Sequence, residues 1–132
     1  MRTQLTPRNL RRLLAADGYL DLGLAERAAT ELEQIPAAGP LEGPRLLMLG
    51  IAKKQLGDFQ EAVKHLERAA RIMPKPIRRF VWRELVEPYR AVGALELSAM
   101  AEELGGEAEL QLTIHLPQEA GDLQLSASRT AA

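Results

Sequence analysis

The chain has no cysteine, which excludes disulfides and thiolate metal sites and leaves nothing that argues for an oxidising compartment. It also has no apolar run approaching the ~20 residues that a membrane-spanning helix needs. Near the N-terminus Arg11 and Arg12 break up any apolar run and an amphipathic pattern follows, unlike the unbroken apolar stretch of a signal peptide, so a cytoplasmic location is expected. Residues suited to catalysis are equally sparse. The two histidines, His65 and His115, fall on positions that read as solvent-facing, and Ser98, Ser126 and Ser128 sit in no nucleophile signature. No phosphate-cradling glycine loop is present. Glu61 and His65, four residues apart on a helix, make two metal ligands at most and read more simply as a surface ion pair. Glu102 and Glu103 are sequence neighbours that point in different directions, a poor arrangement for paired acid–base work. The expectation is a non-enzymatic protein with no cofactor and no metal.

What the chain does have is a period. Gly23 and Gly57 lie 34 residues apart; each precedes an alanine by five residues, Ala28 and Ala62, and each alanine precedes a leucine by four, Leu32 and Leu66. Gly93 extends the series after 36 residues, a two-residue slip that an interrepeat turn can absorb. A period of this length belongs to a helix-turn-helix unit that cannot bury its own apolar face and must stack on neighbours. In the third unit Trp82, Leu85 and Tyr89 recur at spacings of three and four, one stripe of a helix. With 46% apolar and 27% charged residues, the 132-residue chain has the mix of a small globular domain with one core.

Local signals mark the unit boundaries. Thr6-Pro7, Gly43-Pro44 and Lys75-Pro76 place a proline at or near the first helical position, where a missing N–H costs nothing. Asp58 and Glu61 read as a capping box for a helix whose apolar face is Phe59, Ala62, Val63, Leu66, Ala69 and Met73. Leu97, Met100, Ala101 and Leu104 form the corresponding stripe of the third unit, which Gly105-Gly106 ends. Pro88 is the exception, since a proline in a helix interior removes one hydrogen bond and clashes with the carbonyl four residues back. A kink or break is expected there.

These residues resemble the tetratricopeptide repeat. The unit from Gly43 carries that family's landmarks in Leu46, Leu49, Gly50, Gly57, Phe59, Ala62, Leu66, Ala69 and Pro74. The unit from Asn9 keeps Ala16, Tyr19, Gly23, Ala28 and Leu32 but ends early at Pro36, and the unit from Arg79 keeps Trp82 and Tyr89 but has Ser98 where alanine is usual. The resemblance implies a mainly α domain over residues 1–106. Its three helix-turn-helix repeats, at about 9–42, 43–76 and 79–106, would form a short right-handed superhelix. It also implies a concave groove lined by the first helix of each unit. Carried over residue by residue, that lining includes Leu10, Leu13, Leu14 and Asp17, then Leu47, Met48, Ile51 and Lys54, then Phe80, Arg83, Glu84, Glu87 and Arg90. Members that grip a terminal carboxylate use a lysine and an asparagine where this chain has Leu13 and Asp17, so a carboxylate clamp is not implied.

The helix from Leu46 to Ala52 is apolar nearly all round and must be covered on both sides, by neighbouring helices or by a ligand. A groove of Leu, Met, Ile and Phe suits an amphipathic helix or an extended apolar segment of a partner protein. The expected function is therefore an adaptor or chaperone. A faint similarity to the tetratricopeptide chaperones of type III secretion points the same way.

Charge is asymmetric. Residues 1–83 carry fifteen Lys/Arg against nine Asp/Glu, a net of +6, whereas residues 84–128 carry Arg90 alone against nine acids, a net of −8. Lys64, Arg68, Arg71, Lys75, Arg78 and Arg79 form the densest basic face, superficially like a nucleic-acid surface. Their helical spacing fits a solvated face better, and the chain as a whole is not basic, so an acidic protein partner is the stronger expectation there.

From Glu109 the pattern alternates: Leu110, Leu112, Ile114 and Leu116 on one side, Gln111, Thr113 and His115 on the other, with Leu123, Leu125 and Ala127 after a turn. Residues 107–128 thus read as a β-hairpin or extended tail that caps the last helix, and residues 129–132 as a disordered end. The alternative is a homodimer in which tails pair or fill one another's grooves.

Overall fold

The structure is a computed structural model and describes residues 6–37 and 39–106. Among the described residues six helices follow one another: α1 Pro7–Asp21, α2 Ala25–Glu33, α3 Glu42–Gln55, α4 Phe59–Ile72, α5 Lys75–Ala91 and α6 Leu95–Gly105. Each packs on the next, and α3 also touches α1 and α5, so the odd-numbered helices lie side by side. No strand occurs among the described residues. The strand pair expected at 107–128 and the end at 129–132 lie outside them.

All three helix pairs close with the same turn. Gly23, Gly57 and Gly93 have φ of 76°, 81° and 87°, a left-handed conformation that side chains with a β-carbon resist. After each glycine the next N–H reaches back a full turn: Leu24 donates to the Tyr19 carbonyl at 2.8 Å, Asp58 to Lys53 at 2.9 Å and Ala94 to Tyr89 at 2.9 Å. The glycine N–H groups donate to Leu20, Lys54 and Arg90 at 3.0, 3.0 and 3.1 Å. Together these bonds make the Schellman termination, so the period in the sequence is a period of hydrogen bonds.

The irregularities have local causes. α3 begins at Glu42, 36 residues before Arg78, yet α5 begins at Lys75, so the extra residues of the second interval lengthen the start of α5. α2 stops at Glu33, ahead of Pro36. Thr6 caps α1, its hydroxyl accepting from the Asn9 N–H at 3.1 Å, with Pro7 as the first helical residue. Only half of the expected capping box forms at α4. The Asp58 carboxylate accepts from the Glu61 N–H at 3.5 Å, but the Asp58 N–H is already bonded to Lys53, and the Glu61 carboxylate turns to Lys64 at 3.0 Å.

The core has two connected parts. Ala16, Leu20, Ala28, Leu32, Ile35 and Leu49 fill the space among α1, α2 and α3; Leu46, Leu66, Ala69, Val81, Leu85 and Tyr89 fill that among α3, α4 and α5, with Ala101 joining from α6. Ile51 packs against both. α5 runs unbroken through Pro88 to Ala91, against expectation. Pro88 stands in the last turn and is fully buried, so its packing offsets the lost hydrogen bond, and its own carbonyl still accepts from the Val92 N–H at 3.0 Å.

α6 also departs from its sequence pattern. Small residues, Ser98, Ala101 and Gly105, are its buried side, while Leu97, Met100 and Leu104 are 41%, 36% and 45% exposed. Ser98, at the position Ala28 and Ala62 hold in the other units, donates its hydroxyl to the Val86 carbonyl at 2.9 Å. A β-carbon on Gly105 would lie 2.7 Å from the Arg79 carbonyl oxygen. The interface is closed by backbone approach, which selects small side chains over large ones.

Candidate functional site

The side-by-side helices α1, α3 and α5 carry the expected groove lining, and the structure divides those residues into three sets. Leu47 is core: it is buried, 9% exposed, in the same cluster as Val81, Leu85 and Tyr89. The all-round apolar character of α3 is met mainly by the protein's own helices, since α3 is the central helix, with contacts to α1, α2, α4 and α5. Leu13, Met48 and Ile51 are half-buried and lean on the core. Leu10, Leu14 and Phe80 are 41%, 70% and 43% exposed, and Asp17 is exposed beside them.

Polar contacts sort the rest. The Lys54 ammonium lies 2.9 Å from a Glu84 carboxylate oxygen and 3.9 Å from one of Glu87, bridging α3 to α5. Phe80, Glu84 and Glu87 fall at helical spacing, so Phe80 shares their side of α5. Arg83 and Arg90 turn elsewhere. The Arg83 Cγ sits where a β-carbon on Gly105 would go, and the Arg90 guanidinium lies 3.6 Å from Glu102 of α6. Across the three helices the lining is therefore apolar at Leu10, Leu14, Met48, Ile51 and Phe80 and acidic at Asp17, Glu84 and Glu87, and the contact shown within it joins Lys54 to Glu84 and Glu87.

Much of the expected basic face is engaged. Arg78 donates two hydrogen bonds to the Met73 carbonyl at 3.2 and 3.1 Å, closing the end of α4. Lys64 pairs with Glu61 at 3.0 Å, and Arg68 lies 3.7 Å from Glu42. Arg71, Lys75 and Arg79 are exposed. The hydrogen bond from Lys64 and its charge hold the Glu61 carboxyl below the usual carboxylate range.

His65 is not the solvent-facing residue its position suggests. Its side chain is 18% exposed and its Nδ1 is buried with no hydrogen-bond partner, while Nε2 lies 3.6 Å from Glu61. Burial lowers its pKa; Glu61 pulls it up, and Lys53, Arg45 and Lys64 push it further down. Two further features went unread in the sequence. Glu42 and Arg45, both 8% exposed, form an ion pair at 3.0 Å, and their three-residue spacing was a usable signal. Tyr89 donates its hydroxyl to Glu67 at 2.7 Å, a contact across 22 residues that no local pattern carries.

Among the described residues no group of three His, Asp or Glu could hold a metal ion, and no helix is long and apolar enough to cross a membrane. Compared with known proteins, the chain matches no family model, no curated protein and no solved structure.

Proposed function

We propose that the chain is a tetratricopeptide-like repeat domain, three units of a short right-handed superhelix, that acts as an adaptor or chaperone by holding an apolar or amphipathic segment of a partner protein. The observation that carries this reading is the exposure of Leu10 and Leu14 on α1 and of Phe80 on α5, the two helices that touch α3 with its half-buried Met48 and Ile51. Full burial of such a side chain is worth about 1.5–3 kcal/mol, and a bound segment would recover the part that corresponds to the surface Leu10, Leu14 and Phe80 still expose. The three matching turns support the repeat assignment, because equal turns set equal spacing between units.

A nucleic-acid role is less well supported. Arg78 is taken up by the Met73 carbonyl, and Lys64 and Arg68 lie beside Glu61 and Glu42, acids that offset part of the positive charge of this face. A location in the cytoplasm accompanies the proposal.

The test is cross-linking in native lysate with the wild type and a Leu14→Glu, Phe80→Glu variant, both checked for folding by circular dichroism. Cross-linked segments identified by mass spectrometry are then synthesised as peptides and titrated against both proteins. A peptide that binds the wild type and is weakened at least tenfold by the variant supports the groove. Equal binding to both, or cross-links confined to α2, α4 and α6, overturns it.

A further inference from the structure

The outer face of α6 and the first half of α5 form a second surface, separate from the groove. Leu97, Met100 and Leu104 stand in one exposed stripe of α6. At the end of that stripe, Gly105 lies against the backbone of Arg79 and Arg83, so the chain leaves α6 at Gly106 beside two arginines, with exposed Lys75 one turn earlier on α5. The segment that follows has the opposite character in charge and the same character in apolarity. Residues 107–128 contain Glu107, Glu109, Glu119 and Asp122 and no lysine or arginine, and they carry Leu110, Leu112, Ile114 and Leu116 at every second position.

We infer that residues 107–125 of the same chain cover the Leu97, Met100 and Leu104 face of α6, with Glu107 and Glu109 against the Arg79 and Arg83 end. Reach allows it: seven extended residues span about 20 Å, whereas the stripe from Leu104 back to Leu97 measures about 10 Å along the helix. Charge acts at the exit point, where Glu107 and Glu109 follow Gly106 beside Arg79 and Arg83; beyond it α6 carries exposed Glu96, Glu102 and Glu103, so contact along the stripe rests on the apolar residues. Tethering favours it over a partner, since a short linker holds the segment at a millimolar effective concentration. The surface and its occupant are independent of the groove's function.

The chain lacks cysteine, so engineered pairs report proximity directly in the full-length protein. Met100→Cys is combined in turn with Leu110→Cys, Leu112→Cys and Ile114→Cys, and disulfide formation is equilibrated against glutathione at low protein concentration. Leu97→Cys replaces Met100→Cys if the latter changes the circular dichroism spectrum. At least one pair should close as a monomer with an effective concentration about tenfold above that of the same pair in concentrated urea, where only the tether acts. Adding Arg79→Glu should reduce that gain severalfold. Equal closure in buffer and urea, better closure from Leu14→Cys with the same tail positions, or a predominantly dimeric disulfide each overturns the inference, the second in favour of the groove and the third in favour of exchange between two copies.

Discussion

Gly50 and Leu66 touch so closely that a β-carbon on Gly50 would overlap the Leu66 Cγ. Leu66 is fully buried at the centre of α4, so neither side chain nor helix has room to withdraw. Gly50→Ala should therefore destabilise the protein even though alanine is the better helix former. Overpacking of about 1–3 kcal/mol exceeds the roughly 1 kcal/mol gained in helix propensity. Gly18 supplies the control, being helical and exposed with nothing within 4 Å of its β-position. Gly18→Ala should raise the melting temperature while Gly50→Ala lowers it by several degrees, and thermal unfolding followed by circular dichroism reads both. Equal signs would remove the close approach as the explanation.

The hydroxyl of Tyr89 ties α5 to α4 through Glu67, and its ring is 2% exposed in the core. Tyr89→Phe keeps the ring and removes the bond, at an expected cost of about 1–2 kcal/mol by urea unfolding. Burial, and then the bond to Glu67, raises the phenol pKa above its ordinary value. The folded protein thus holds this proton more tightly than the unfolded chain. Its contribution is complete below about pH 10, the unfolded value, and declines as pH rises beyond it. The alkaline loss should be shallower in Tyr89→Phe; an unchanged slope would mean that Tyr89 is not the group responsible.

His65 works in the opposite direction. Burial and the cations Lys53, Arg45 and Lys64 favour its neutral form in the fold, against the pull of Glu61. Its folded pKa lies below the unfolded one, so the associated stability is fully present above about pH 6.5 and is lost as pH falls through the folded pKa. NMR titration of the His65 ring should give a pKa below that of an unstructured histidine. His65→Gln should flatten the loss of stability between neutral and mildly acidic pH. A ring that titrates normally would place the acid sensitivity elsewhere.

Much of this fold was legible because its determinants are local. Gly23, Gly57 and Gly93 each specify a turn by their own backbone freedom, and the prolines and the Thr6 and Asp58 caps mark helix starts within a few residues. Misreadings arose where a long-range contact decides. The stripe of Leu97, Met100, Ala101 and Leu104 looks like a buried face by periodicity, yet only Ala101 of the four is buried, and backbone contact between α5 and α6 buries Ser98 and Gly105 with it. Pro88 looks like a break because its burial is invisible in sequence. At the candidate site, position within the repeat brought Lys54, Glu84 and Glu87 together correctly, but it could not separate Arg83 and Arg90, whose direction is set by Gly105 and Glu102 of the next helix.

The same distinction governs how the groove can be probed. Leu47 and Leu14 occupy lining positions of consecutive units, but Leu47 is buried among Val81, Leu85 and Tyr89 while Leu14 is 70% exposed. Leu47→Glu would place a carboxylate in the core without a partner, at a cost above about 3 kcal/mol, a large share of the 5–15 kcal/mol that holds a domain of this size together. Leu14→Glu should change stability by no more than about 0.5 kcal/mol. Melting curves should therefore show a strongly lowered or absent transition for Leu47→Glu and a nearly native one for Leu14→Glu. If Leu47→Glu melts like the wild type, α3 presents that side chain to the groove after all, and the lining extends deeper than Met48 and Ile51. If Leu14→Glu melts early, Leu14 has a covering partner within the chain, and any binding lost in that variant would reflect unfolding and not a missing contact.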